Sequence, residues 1–274
     1  MRRLAIVTVV VVNGARGLSA EEAQLQKHTL ESWNRYVALH DAELARDRAA
    51  DTPFLWLDRQ PPDDRRRMRE RLQAGEVVVE RRELRDAAGD IIDVDDGRIH
   101  HWIGVVLIPG ATIDEVLRFV QDYDRYPDRF APMIQRADVL ARDGARWTVA
   151  MRNRTRKVIT VVIDADYVVD FRRLAPTRLE TVNVATNVFH VHDAGTPDER
   201  RQPGDEADGY LWRFRMICRF EQRAEGTYEE CESASLTRGV PWLLRPIVSP
   251  FVDSVPRETI AFTLGVIRDG AGRP

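Results

Sequence analysis

From residue 210 to 221 large apolar side chains alternate with charged ones. Tyr210, Trp212, Phe214, Met216, Cys218 and Phe220 take one parity, and Arg213, Arg215, Arg219 and Glu221 the other. A period of two predicts a strand with one face buried and the other wet. The next strand, over residues 228–237, sets Cys231, Ser233, Ser235 and Thr237 on the same face as those aromatics. Small polar residues beside large aromatics leave room above the sheet for a helix or a ligand.

The same reading partitions the rest of the chain. Residues 99–108 are β-branched and apolar and stop at Pro109 and Gly110, which predicts a strand. Thr112 with Glu115 forms a capping box, and Val116, Phe119 and Val120 give the helix behind it an apolar stripe. Strands follow over 134–142 and 147–151, turning at Asp143 and Gly144, then over 158–163 (continuing towards 171) and 181–191. Residues 193–209 concentrate Gly, Pro and charge and are expected to form a long mobile loop. A closing helix is predicted over 254–268, with Pro256 in its first turn and Ile260, Thr263, Leu264 and Ile267 facing inward. Upstream, residues 21–50 carry Leu25, Trp33, Tyr36 or Val37, His40 and Leu44 at helical spacing. An arginine-rich helix runs from Pro61 and Pro62 to Gly75, and a strand occupies 76–84. These two helices have too little apolar surface to fold alone and are expected to pack on the main domain.

Composition narrows the options. The 274 residues are 43% hydrophobic and 31% charged with a net charge of −3, which is ordinary for a globular protein and offers no basic field for nucleic acid. Arg2 and Arg3 precede an apolar run over residues 4–12, followed by small and polar residues. That order matches a secretory signal, with cleavage after Gly17 or Ala20, and the run is too short to span a bilayer. A buried N-terminal strand is the alternative. Export would place the chain in the periplasm or outside the cell, where Cys218 and Cys231 could pair. With Ala224 opposite Thr227 in the last hairpin, however, Cys218 faces Ser233. A bridge then needs a slipped register, and two buried free thiols are expected.

Ile108, Pro109, Gly110, Ala111 and Thr112, with Val116 and Leu117, then Asp122, Tyr123, Asp124, Arg125, Tyr126, Pro127 and Pro132, form a pattern that resembles the START-like superfamily. Its polyketide cyclase/dehydrase and lipid-transport branches are the nearest in pattern. Val240, Pro241, Trp242, Leu243 and Leu244, and the helix opening at Pro256, Arg257, Glu258 and Thr259, resemble the end of such domains. The resemblance covers roughly residues 76–269. It implies an α+β helix-grip fold, in which a curved antiparallel sheet wraps a long C-terminal helix and encloses an apolar cavity. The implied organisation is a signal peptide (1–20), an N-terminal helical extension (21–75), the START-like domain (76–269) and a short tail (270–274).

Candidate chemistry is sparse. His190 and His192 share a strand face but lack a third ligand and read as rim histidines, while His100 and His101 point to opposite faces. Asp122, Asp124 and Asp128 read as helix-ending carboxylates, with Tyr123 and Tyr126 packed beneath. Arg152, Arg154, Arg156 and Lys157 read as a solvated hairpin tip, or else a site for acidic headgroups. Trp242, Leu243, Leu244, Ile247, Val248, Phe251 and Val252 read as packing, or as a lid that touches membrane. Nucleophile, metal and phosphate-loop motifs are absent, so no catalytic residue, metal or cofactor is assigned. The reading favours an exported carrier of a lipid or other apolar molecule over an enzyme. Trp147, Val149, Met151, Trp212, Phe214, Met216 and Phe262 are the expected cavity lining. A cyclase- or dehydratase-like enzyme, for which His190 is the candidate near the rim, and a ligand-free interaction module remain the alternatives. Oligomeric state is left open.

Overall fold

The computed structural model describes residues 20–48, 52–92, 94, 97–156, 160–204, 210–238 and 245–272, with backbone alone at 20–26 and 245–253. In chain order the elements are α1 (Ala20–Asp47), α2 (Pro62–Gln73), β1 (Val78–Arg81), β2 (Gly97–Pro109), α3 (Ile113–Gln121), α4 (Tyr126–Arg129), β3 (Ile134–Asp143), β4 (Arg146–Arg156), β5 (Thr160–Ala175), β6 (Arg178–His192), β7 (Arg200–Pro203), β8 (Leu211–Arg223), β9 (Gly226–Arg238) and α5 (Arg245–Gly270). Single turns of 3-10 helix lie at Trp56–Arg59 and Tyr123–Arg125.

The nine strands among the described residues join one antiparallel sheet in the order β1-β2-β9-β8-β6-β5-β4-β3, with β7 beside the end of β6. The C-terminal helix lies across the concave face. Gly104 lets it seat: a Cβ there would stand 2.6 Å from Leu264 Cδ1 and 3.2 Å from Ile260 Cγ1. Ile260, Leu264 and Ile267 enter the main core with Val106, Ile108, Val149, Val169, Phe171 and Phe220. The entry into α3 is built as its sequence predicts. Thr112 Oγ1 accepts from Glu115 N, and the Glu115 carboxylate accepts from Thr112 N at 2.7 Å. The α+β arrangement implied by the resemblance, an antiparallel sheet wrapped around a long C-terminal helix, is the arrangement observed.

Several local expectations change. The convex face of β8 is not wet, because α1 lies over it. Arg215 and Arg219 are 5% and 2% exposed and pair with Asp41 (2.6 Å) and Asp47 (3.2 Å) of that helix. A register shift between Leu211 and Arg213 displaces Trp212 from the concave face. Trp212 packs instead with Trp33, Tyr36, Ala234 and Leu236 beneath α1. The last hairpin turns one step earlier than expected, with Arg223 opposite Gly226, so Cys218 lies directly opposite Cys231. The two form a disulfide across a Cα separation of 4.1 Å, where free thiols were expected. Gly226 has φ +142°, and a Cβ there would collide with the carbonyl of Ile108, which holds the turn in this register.

Other segments are longer than their patterns. The closing helix begins at Arg245, so Pro256 sits inside it rather than in its first turn. The loop expected over 193–209 contains β7, an edge strand on β6. The basic tip is drawn into β4, where Arg152 holds Asp164 (2.7 Å) and Glu199 (2.8 Å). Lys157, residues 1–19, and the side chains proposed as a lid over 242–252 lie outside the described residues. Among the described residues no helix is long and apolar enough to cross a membrane.

Candidate functional site

The concave face of the sheet, opposite α5, brings together most of the residues expected to line a cavity. Cross-strand register sets Trp147 beside Val169, Val149 beside Tyr167 and Met151 beside Ala165, while Phe214 and Met216 face the same side from β8. Phe262 does not join them. It follows Ile260 by two residues, about 200° around the helix, and is 38% exposed on the far side of α5. Five of the seven expected residues therefore share one surface, and Trp212 and Phe262 leave it.

This surface is graded along its length. At one end Phe171, Leu179, Cys218, Phe220 and Cys231 are buried beneath Phe119, Tyr123 and Phe130 of the α3–α4 segment. At the other, Met151, Ile163, Val188, Phe214 and Met216 pack against the core yet stay only half-buried. At that end large apolar side chains pack on the wall of the sheet without full cover.

Polar groups are interspersed on this surface: Ser233 and Ser235 stand opposite Met216 and Phe214, and His100 stands opposite Ser235. Tyr167 is bonded to the Asn153 side chain, and burial raises its hydroxyl pKa to about 12. Asn183 Nδ2 donates to the Met216 carbonyl at 3.3 Å. His190 also faces this side, because a register shift at residues 166–167 of β5 turns the end of β6 over. Its Nε2 accepts from the amides of Tyr210 (2.9 Å) and Leu211 (3.1 Å), and burial lowers its pKa. The imidazole thereby closes the gap where β8 leaves β6, and it is committed to structure. His192 bonds to Gln202 at 3.0 Å.

The unexpected group is Glu229. It stands between Val106 and Phe220 on the concave face and is 1% exposed. The Cys231 sulfur lies 3.4 Å from Oε1, but a disulfide sulfur has no proton to donate, and Oε2 has no partner. Burial raises its pKa to about 8, so the side chain is largely a neutral acid at pH 7. A protonated carboxyl buried on this face of the sheet can donate a hydrogen bond to a carbonyl or hydroxyl, or transfer a proton. The alternation that marks Cys231, Ser233, Ser235 and Thr237 reaches Glu229 when carried one step back, and that signal would have found it.

The convex face carries a second polar cluster under α1. Glu180, fully buried, takes Arg48 at 2.7 Å and Arg219 at 3.7 Å. Glu232 meets His101 Nε2 (2.8 Å), Arg82 Nε (3.1 Å) and His40 Nε2 (3.2 Å). His101 and His100 do point to opposite faces, but both are buried because both faces are covered. Beside this cluster a hollow of about 480 Å³ is lined by Trp33, Val37, Arg48, Arg172, Arg215 and Ile217. In the acidic segment after α3, Asp122 caps the helix and pairs with Arg129 at 2.7 Å, and the Tyr123 and Tyr126 rings pack 4.6 Å apart.

No family model and no curated protein matches the chain. Solved structures do. An aromatase/cyclase from a Streptomyces species shares 12% identity over 63% of this chain and 93% of its own, with a TM-score of 0.44. The lipid transfer and protein localization domain of human StarD13 shares 9% over 78% and 99%, with a TM-score of 0.43. A STAR-related lipid transfer protein fragment from Xanthomonas axonopodis shares 14% over 66% and 98%, with a TM-score of 0.37. At this distance the helix-grip assignment stands on the sheet order and the seat of α5.

Proposed function

We propose that the protein is an exported carrier that holds a lipid, quinone or similar apolar molecule between the concave face of the sheet and α5. The observation that carries this reading is the half-burial of Met151, Ile163, Val188, Phe214 and Met216 on a concave wall. A filled core would cover them, and a ligand would gain about 25 cal/mol for each Å² it removes from water there. Glu229 would anchor the polar end of the ligand. Export is supported by the signal-like first twenty residues and by the Cys218–Cys231 disulfide, which persists in an oxidising compartment. The apolar stretch over 242–252 would be the contact with a donor membrane.

A second reading follows from Glu229 alone. A buried carboxyl with a pKa near neutrality suits a general acid, as a cyclase or dehydratase acting on an apolar substrate would need. Native mass spectrometry of the purified chain, followed by organic extraction, separates the two. A co-purifying lipid or quinone, lost in Phe214→Ala and Met216→Ala variants that stay folded, is expected of a carrier. An apo mass that persists after incubation with membrane extract would overturn the carrier and leave the enzyme.

A further inference from the structure

On the other face of the sheet, three side chains from three elements converge. His40 comes from α1, His101 from β2 and Glu232 from β9, and all are at most 7% exposed. One ligand atom from each lies within 4.8 Å of the other two. His101 Nε2 lies 2.8 Å from Glu232 Oε1 and His40 Nε2 lies 3.2 Å from Glu232 Oε2, so each imidazole meets one carboxylate oxygen at a separation comparable to the roughly 3.3 Å between N and O ligands of zinc. The third separation, between the two imidazoles, is no longer than 4.8 Å.

Despite those distances, His101 Nε2 and both ring nitrogens of His40 lack a partner of hydrogen-bond geometry. Buried imidazole nitrogens are normally satisfied. A cation at the centre of the three would satisfy two of them at once. The surroundings suit a ligated histidine and carboxylate. His101 Nδ1 lies 2.6 Å from the Tyr36 hydroxyl, the outer partner that fixes a tautomer with Nε2 free to bind. Arg82 holds Glu232 Oε1 at 3.1 Å and is itself held by Glu43 at 2.6 Å, which orients the carboxylate. Counting Glu43, Arg82 and Glu232, the fixed charges sum to −1, and a divalent ion is not repelled.

We propose that His40, His101 and Glu232 form a binding site for a divalent transition metal of the zinc type, with water in the fourth position, stapling α1 to β2 and β9. The donor set of two imidazoles and one carboxylate selects zinc, cobalt or nickel over magnesium or calcium. The second group of possible ligands, Cys218, Glu229 and Cys231, is excluded in the oxidised chain because the sulfurs are bridged.

The test is a titration of the full chain, free of any histidine tag and without reductant, first with Co²⁺ and then with Zn²⁺. One Co²⁺ per chain is expected, with visible d–d bands, no thiolate charge-transfer band, and displacement by Zn²⁺. His40→Gln should weaken binding at least ~100-fold and Tyr36→Phe about tenfold, both with unchanged circular dichroism. Absence of stoichiometric metal on the wild-type chain overturns the proposal. So does a thiolate band, or unchanged affinity in a folded His40→Gln variant.

Discussion

Glu229 is a buried carboxyl on the concave face, and its titration makes it testable without a ligand. Its pKa is about 8 in the fold against a reference of 4.5, a rise caused by burial. Between those values the folded chain binds more protons than the unfolded one. Its stabilising contribution is therefore full below about 4.5 and is lost as pH climbs through about 8, at up to ~1.4 kcal/mol per pH unit. Glu229→Gln keeps the shape and removes the titration. Urea unfolding of both proteins across this window should show the variant gaining on the wild type as pH rises. Parallel curves would mean that the carboxyl is hydrated or partnered. Glu229 escaped the sequence pattern because the apolar face was read from the long side chains of β8. On β9 nearly every position is buried, so polarity no longer distinguishes the inner face from the outer.

At the scale of elements, the presence and type of most elements were legible because capping and alternation are local, while several boundaries were not. The Thr112 and Glu115 box, the Asp143 and Gly144 turn and the α1 stripe of Trp33, Tyr36, His40 and Leu44 all sit where short-range rules place them. Register was not legible. The turn before Gly226 depends on the backbone of Ile108, more than a hundred residues away, and that contact decides whether Cys218 meets Ser233 or Cys231. The bulge beside Trp212 likewise has no signature in a strand whose aromatic parity runs unbroken. The two faces make opposite forecasts for neighbouring substitutions. Trp212→Ala should cost about 3–5 kcal/mol of stability, the range for a buried aromatic, and leave ligand uptake per folded molecule intact. Phe214→Ala, on a half-buried position, should lower stability less and reduce uptake. Thermal unfolding and extraction yield, measured side by side, decide it; the reverse pattern would place the ligand under α1 instead.

At the scale of the whole molecule, the sheet is a middle layer. α5 and α3 pack on its concave face and α1 covers its convex face, and the second covering was hidden because β8 and β9 present charge there. Arg215, Arg219, Glu230 and Glu232 look wet in sequence, yet they are 5%, 2%, 3% and 7% exposed. Their partners Asp41 and Asp47 arrive only when α1 docks. Such a face is committed to its cover: a buried charge that loses its partner costs about 3–5 kcal/mol unless water replaces it. Water can replace the partners of the arginines, but it cannot cover Trp212, Ala234 and Leu236, which pack with Trp33 and Tyr36. A chain beginning at residue 53 should therefore keep its strands but lose sharp cooperative melting and bind a hydrophobic dye such as ANS, the signature of lost side-chain packing. Melting within a few degrees of the full chain, with no dye bound, would show the sheet and α5 to be self-sufficient. In that case α1 would be an appendage, and the buried ion pairs beneath it would hold the helix in place without holding the fold together.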